Sequence, residues 1–189
     1  LGGGYGSPEA LRTALAEGAV GVQVGTPFAL CEESGLEPKM RHALIHLALA
    51  GDGKVFTDPL ASPTGFPFKV ARLEGTLSEP EVYTARRRVC DLGYLREAYV
   101  QADGVIGYRC PAEPVEAYTA KGGSAEDTVG RKCICNGLFG NIELGQVRAD
   151  GTREPGIVTL GDDYLRIGRF CTLEQPDYSA SHVVRVLLG

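Results

Sequence analysis

The sequence predicts an α/β fold, made of the C-terminal part of a (β/α)8 TIM barrel (end of strand 7 to helix 8) followed by a mixed, mostly helical extension. Three features predict it: a glycine-rich turn at residues 2–6, a helical run after it, and a valine-rich strand at residues 19–24 that ends in a second glycine turn. In such barrels the loops after strands 7 and 8 commonly build a phosphate site with the N-terminus of a short extra helix.

The first helix is predicted over residues 8–18. Ser7 is suited to the N-cap, Pro8 to the first helical position and Gly18 to the residue that ends the helix. The strand at residues 19–24 is almost entirely apolar, so we expect it to be buried on both faces. Residues 27–30 then suit the short extra helix, which would start beside the second glycine turn.

The last barrel helix is predicted over residues 37–51, where apolar residues recur at helical spacing and a glycine follows. His42 and His46 share one face of this helix, which could suit a metal. No glutamate stands in a zinc-protease arrangement between them, so we expect two ordinary helix histidines. We accordingly expect residues 1–51 to form the end of the barrel with its phosphate site, and residues 52–189 to form the extension.

The extension begins with a segment rich in Pro, Gly and Thr, which serves either as a cover over a cofactor or as a surface connector. An Arg86-Arg87-Arg88 run is expected on the solvated face of a helix, where it pairs with carboxylates. The remaining elements follow from periodicity and turn residues. They are strands at 55–57, 68–70 and 157–160, helices at 80–90, 94–100, 113–120, 133–138 and 162–170, a hairpin turn at 103–104, and a last helix ending at 188.

Five of the six cysteines in the chain fall within the extension, and four of these form a candidate metal site. Thiolates one residue apart, as in Cys133-Ile134-Cys135, can turn to a single soft cation, and Cys90 and Cys110 would complete a four-sulfur shell. Arg131 and Lys132 would offset the negative charge. Zinc is the favoured metal, with an iron–sulfur cluster and inert buried thiols as alternatives. Cys31 and Cys171 have no predicted role.

Composition narrows the class of protein. The 189 residues are 43% hydrophobic and 23% charged, with a net charge of −5, which disfavours a general nucleic-acid or anionic-membrane surface. No apolar run reaches the roughly 20 residues that a membrane span requires, and no signal peptide is visible. We therefore expect a cytoplasmic protein. Because the chain starts at Leu1, at the end of a strand, we also expect it to need the remainder of a barrel as its partner.

The two glycine turns also carry a resemblance to a known family. Residues 2–6 and 21–28 resemble the closing part of the nitronate monooxygenase family, the 2-nitropropane dioxygenase-like flavoproteins, which also includes FMN-dependent enoyl reductases. The resemblance continues through Glu32-Glu33-Ser34, Lys39 and residues 57–70, so that it covers the part of the chain up to about residue 75 well and the remainder loosely. It implies FMN as cofactor, with Gln23 close to the flavin and the phosphate held by backbone groups. The implied phosphate-binding residues are Gly3, Gly4, Gly25 and Thr26.

The resemblance implies an FMN-dependent oxidoreductase that oxidises alkyl nitronates, with this chain as its phosphate-binding C-terminal part. The family's catalytic histidine would lie upstream of Leu1, so no catalytic residue is predicted here and the chain alone is expected to be inactive. Three alternatives stay open: an enoyl reductase of fatty-acid or polyketide synthesis, a barrel end that binds another phosphorylated ligand, and a non-catalytic zinc module built on the cysteines.

Overall fold

The computed structural model describes all residues from 1 to 189 and shows a mixed α/β fold with two small antiparallel sheets. Short 3-10 helices cover Glu32–Ser34, Ala125–Thr128 and Asp162–Arg169. The strands are β1 (Val55–Asp58), β2 (Phe68–Ala71), β3 (Glu97–Val100) and β4 (Ile106–Arg109). The α-helices are α1 (Pro8–Ala16), α2 (Thr26–Ala29), α3 (Pro38–Leu49), α4 (Pro80–Ala85), α5 (Val115–Ala120), α6 (Cys135–Gly140) and α7 (Ala180–Leu188).

Each sheet is a two-stranded antiparallel ladder. In the first, Val55 of β1 pairs with Ala71 of β2. The strands predicted at 55–57 and 68–70 are therefore confirmed. In the second, Glu97 pairs with Arg109 across β3 and β4, and Gly104 in the connecting turn has a φ of 82°. Glycine tolerates this left-handed conformation without a steric penalty. The pairing of β3 with β4 on either side of it confirms the hairpin turn predicted at 103–104.

The predicted ends of two barrel strands meet as one parallel bridge, between Gly2 and Gln23. The backbone N–H of Gln23 donates to the carbonyl of Leu1 at 2.7 Å. The predicted strand at 19–24 goes no further than this bridge, and Val20 is fully exposed, so its expected burial on both faces is wrong. A strand is covered on both faces only where other elements pack against each face.

Most predicted helices are present, and Ser7 caps α1 by accepting a hydrogen bond from the N–H of Ala10 at 3.1 Å. The helix predicted over 80–90 is wrong beyond Ala85, because Arg86 turns into extended backbone with a ψ of 144°. The helix predicted over 94–100 is β3 instead. No regular strand forms at 157–160, although Val158 accepts a hydrogen bond from the N–H of Ala71.

The main hydrophobic core joins the two ends of the chain. Leu30 and Leu44, from the predicted barrel end, pack in one cluster with Tyr164 and Val183, which come from the close of the extension. Two buried tyrosine hydroxyls connect the same regions, because Tyr164 donates to the carbonyl of Leu44 at 2.8 Å and Tyr178 donates to that of Pro27 at 2.7 Å. The boundary predicted between residues 51 and 52 stays a prediction, and this core draws on both sides of it.

We find no helix whose length and apolar content would allow it to cross a bilayer. The longest, α3, has 12 residues.

Replacing Tyr178 with Phe should lower the free energy of unfolding, because the substitution leaves the buried Pro27 carbonyl without its donor. The expected loss is about 1–3 kcal/mol. Chemical denaturation of the two proteins measures it. Tyr108→Phe is the matched control, since Tyr108 is 57% exposed and should change the stability little. Equal effects of the two substitutions would contradict this role of the Tyr178 hydroxyl.

Candidate functional site

The two glycine turns, residues 2–6 and 24–26, follow the two strands of the Gly2–Gln23 bridge. Because this bridge is parallel, both turns begin at the same end of it. Gly3 and Gly4 have φ values of 88° and 78°, and both are exposed with open space where a Cβ would stand. Gly4 and Gly25 each lie two residues beyond the bridged pair. Successive N–H groups in such turns form concave surfaces that bind anions.

Several backbone donors of these turns are free. The N–H groups of Gly4 and Gly25 donate no hydrogen bond within the protein, and both residues are exposed. The amide oxygen of Gln23 lies against Gly2, 3.3 Å from the point where a Cβ would stand. Gly3, Gly4, Gln23 and Gly25 are all exposed and lie at or within two residues of the Gly2–Gln23 bridge, and their binding of a phosphate stays a prediction.

Thr26 differs from its four companions because it is buried. Its hydroxyl accepts a hydrogen bond from the N–H of Gly161 at 2.7 Å, so the side chain contacts the 161–169 segment. Thr26 also starts α2, whose predicted range of 27–30 is shifted by one residue.

Residues 161–169 hold both glycine turns in place. The N–H of Gly6 donates to the carboxylate of Asp163 at 3.0 Å in a buried hydrogen bond, and Arg169 donates to the carbonyl of Gly6 at 3.2 Å. A Cβ on Gly6 would stand 2.6 Å from this carboxylate, so the close contact requires glycine. With the Gly161–Thr26 bond, the 161–169 segment touches both turns and fixes their relative position.

Sequence reasoning missed this role of Asp163 and Arg169. The predicted helix at 162–170 is present as a 3-10 helix, but its acidic start looks like ordinary helix capping chemistry. Burial of Asp163 at 7% exposure is the structural sign that the carboxylate has a specific partner. Gly6 and Asp163 lie near opposite ends of the chain, and no motif in the sequence indicates that they meet.

An apolar groove of about 390 Å³ lies next to the bridge. Its lining is entirely hydrophobic and comes from α1, the segment at 22–24, α2 and α7. The main contributors are Leu11, Val22, Val24, Phe28, Val184 and Leu187.

The four extension cysteines named from the sequence come together in space. Cys90, Cys110 and Cys133 line one cavity of about 120 Å³. Burial, with a contribution from the thiols of Cys133, Cys90 and Cys135, raises the pKa of the Cys110 thiol to about 11. Burial also raises the pKa of Cys133 and of Cys135, each with an added contribution from Cys90. We call these four residues the thiol cluster.

All six cysteines are free thiols, and no group of three or more His, Cys, Asp or Glu side chains is arranged so that it could hold a metal ion. Metal binding by the thiol cluster therefore stays a prediction. The ring of His42 contacts the carboxylate of Asp177 at 2.8 Å.

The cations near the thiol cluster are not the predicted ones. Arg131 donates to the carbonyls of residues 60 and 62, and Lys132 pairs with Asp58 at 3.4 Å. Arg86 instead donates to the carbonyl of Cys133 and opposes the burial-driven rise in the pKa of that thiol.

Arg86 does not lie on a solvated helix face, as the sequence had suggested. Its side chain is 3% exposed and forms a buried ion pair with Glu154, which Arg148 also contacts at 2.8 Å. The expected pairing with a carboxylate is present, but inside the protein. Buried carboxylates and guanidinium groups are stable only when paired in this way.

Replacing Asp163 with Ala should loosen the first glycine turn and lower the free energy of unfolding by about 1.5–3 kcal/mol, the usual range for a hydrogen bond to a charged group. Hydrogen exchange at the Gly6 amide should become faster. Asp162→Ala is the matched control, because its carboxylate is largely exposed and pairs only with Lys69. If the Gly6 amide exchanges equally fast in both variants, Asp163 does not hold the turn.

No family model, curated protein or solved structure matches this chain. What the protein does must be inferred from its own residues and their geometry. Because no comparison identifies a family, the resemblance to the nitronate monooxygenase family stays a prediction.

Proposed function

We propose that this chain is the phosphate-binding part of an FMN-dependent oxidoreductase of the nitronate monooxygenase-like family, which oxidises alkyl nitronates. The observation that carries the proposal is the parallel Gly2–Gln23 bridge, with a glycine turn leaving each side of it in the same direction. This is the arrangement in which two neighbouring βα loops of a barrel bind a phosphate.

The residues of the two turns suit the phosphate of FMN. Gly4 and Gly25 offer exposed N–H groups that no protein acceptor uses. A phosphate carries more than one negative charge and accepts several hydrogen bonds, so donors from two turns add to its binding. Bound FMN would supply the electron transfer, and the protein would bind and orient it.

The 161–169 segment supports this role from outside the turns. It holds Gly6 through Asp163 and Thr26 through Gly161, so the donors keep their spacing when no ligand is bound. Binding groups that are already in position lose little conformational entropy when the ligand arrives. The carboxylate of Asp163 accepts a hydrogen bond from the Gly6 N–H. This hydrogen bond limits the repulsion between the carboxylate and a bound phosphate.

The apolar groove beside the bridge supports the remainder of a barrel as the partner. Val22 and Val24, which flank Gln23 of the parallel bridge, line this groove together with Phe28. In a closed barrel such residues pack against neighbouring strands and helices. This chain alone is expected to show no nitronate oxidation, since no residue in it has been assigned a catalytic role.

An enoyl reductase or a barrel that binds another phosphorylated ligand would use the same two turns. The three functions differ in the group beyond the phosphate, so the first experiment asks whether the phosphate of FMN is recognised at all.

FMN and riboflavin share the flavin ring and differ in the phosphate, so their affinities for the full chain measure phosphate recognition directly. We expect FMN to bind at least about tenfold more tightly than riboflavin, since one hydrogen bond to a charged group contributes about 1.5–3 kcal/mol. Flavin fluorescence during titration gives both dissociation constants. Equal affinities, or no FMN binding, would contradict the proposal.

Gly4→Ala should weaken FMN binding, because a side chain at a φ of 78° costs about 1–2 kcal/mol and the turn would change shape to avoid it. Gly104→Ala is the matched control. Gly104 has a φ of 82° and open space around it in the β3–β4 hairpin, so the substitution introduces the same backbone strain away from the turns. If Gly104→Ala weakens FMN binding as much as Gly4→Ala, general destabilisation explains the effect.

A further inference from the structure

We propose that Cys90, Cys110, Cys133 and Cys135 bind one structural zinc ion, which ties together the central part of the extension. The site is separate from the two glycine turns and does not depend on FMN.

Three segments distant in the sequence converge on the thiol cluster. Cys90 comes from the irregular stretch after α4, Cys110 directly follows β4, and Cys133 and Cys135 stand at the start of α6. Three of these thiols line the same cavity of about 120 Å³. Four sulfur ligands from two or more segments are the usual shell of a structural zinc site.

Polar contacts fix the backbone around the thiols. Cys133 is held at both ends of its backbone, because its N–H donates to the hydroxyl of Tyr83 at 2.9 Å and its carbonyl accepts from Arg86. Asn136, on α6, donates to the carbonyl of Val89 at 2.8 Å and so holds the residue before Cys90. The ligand backbones are thus positioned by contacts that do not involve the thiols.

The turn after β4 is held in the same way. The N–H of Cys110 donates to the carboxylate of Glu113 at 3.0 Å, and the N–H of Glu113 returns to the carbonyl of Cys110 at 2.9 Å. Arg88 reaches the turn from the segment that carries Cys90 and donates to the carbonyl of Ala112 at 3.1 Å. The segment of Cys90 and the turn of Cys110 are therefore connected before any metal binds.

Charge also suits a zinc ion with four thiolates, which together carry two negative charges. Arg88 lines the cavity together with Glu113, whose carboxylate pairs with Lys121. Arg86 donates to the carbonyl of Cys133 but also pairs with Glu154, so Arg88 is the cation that offsets part of that charge. On binding, four S–H bonds are exchanged for four Zn–S bonds and the protons leave to solvent, with no change in oxidation state.

The region around the cysteines has little core of its own. Between residues 86 and 131 the buried residues are Cys110, Pro111, Ala112 and Tyr118. Strands β3 and β4 carry exposed Val100, Ile106 and Tyr108. Segments that bury so little apolar surface usually need a disulfide or a metal to be stable.

Zinc binding requires the thiols to move closer together, since no three of these side chains are arranged as a ligand set. Cys90 is the residue that can move. It is exposed, and residues 86–96 around it have no helix or strand. The other three thiols are buried or half-buried against structured segments.

The test is zinc uptake by the full chain, reduced and freed of metal by a chelator and then titrated with zinc in competition with a metal indicator. We expect about one zinc per chain. Cobalt(II) in place of zinc should give the intense visible bands of a tetrahedral thiolate site. Failure of the chain to take up zinc overturns the proposal, as does a brown protein that holds iron and sulfide instead.

Cys90→Ser removes one proposed ligand. Because the Cys90 side chain is exposed, we expect this substitution to leave the fold intact. We expect its zinc affinity to fall by more than the roughly 10- to 100-fold that loss of an outer-shell contact causes. Cys31→Ser is the matched control, because Cys31 lies in the main core, away from the thiol cluster. Unchanged zinc affinity of Cys90→Ser, or equal losses in both variants, overturns the proposal. Because flavin is absent from the titration, its outcome is independent of FMN binding.

Discussion

The fold depends most on the contacts that the 161–169 segment makes with the start of the chain. Gly161 donates to the hydroxyl of Thr26, and Asp163 accepts from Gly6, so two turns on either side of α1 are held by one short segment. Tyr164 and Ile167 of the same segment enter the main core beside Leu44. Packing of the core therefore sets the position of this segment, and the segment sets the spacing of the N–H groups at the turns. Under the proposed function, phosphate recognition would be coupled to the stability of the main core.

The two halves of the extension are stabilised in different ways. Its closing part, which includes Tyr178 and Val183, returns to the main core and is buried there. The part around residues 86–131 instead depends on polar contacts, above all the buried pairing of Glu154 with Arg86 and Arg148. A buried ion pair fixes geometry more than it adds net stability, because both groups lose their hydration. Zinc at the thiol cluster would supply the stabilisation that this part lacks.

Local signals predicted much of the fold. Ser7 as N-cap, the hairpin at 103–104 and α3 follow from residues within one turn or one helix of each other. The errors lie where a distant contact decides the structure. Arg86 adopts extended backbone and pairs with Glu154. Asp163, near the other end of the chain, accepts a hydrogen bond from Gly6. For the candidate sites, the binding roles of the residues named from the sequence stay predictions, and the supporting Asp163, Arg169 and Arg86 become visible only in three dimensions.

The central claim is that the two glycine turns act as one anion site, and a residue-resolved titration tests it most directly. Amide NMR spectra of the isotope-labelled chain, recorded as inorganic phosphate is added, report on every N–H at once. We predict concentration-dependent shifts at Gly3, Gly4, Gly25 and Thr26, described by one common dissociation constant, with the β3–β4 hairpin unchanged. Shifts confined to one of the turns, different constants for the two turns, or no shifts at either would contradict the account.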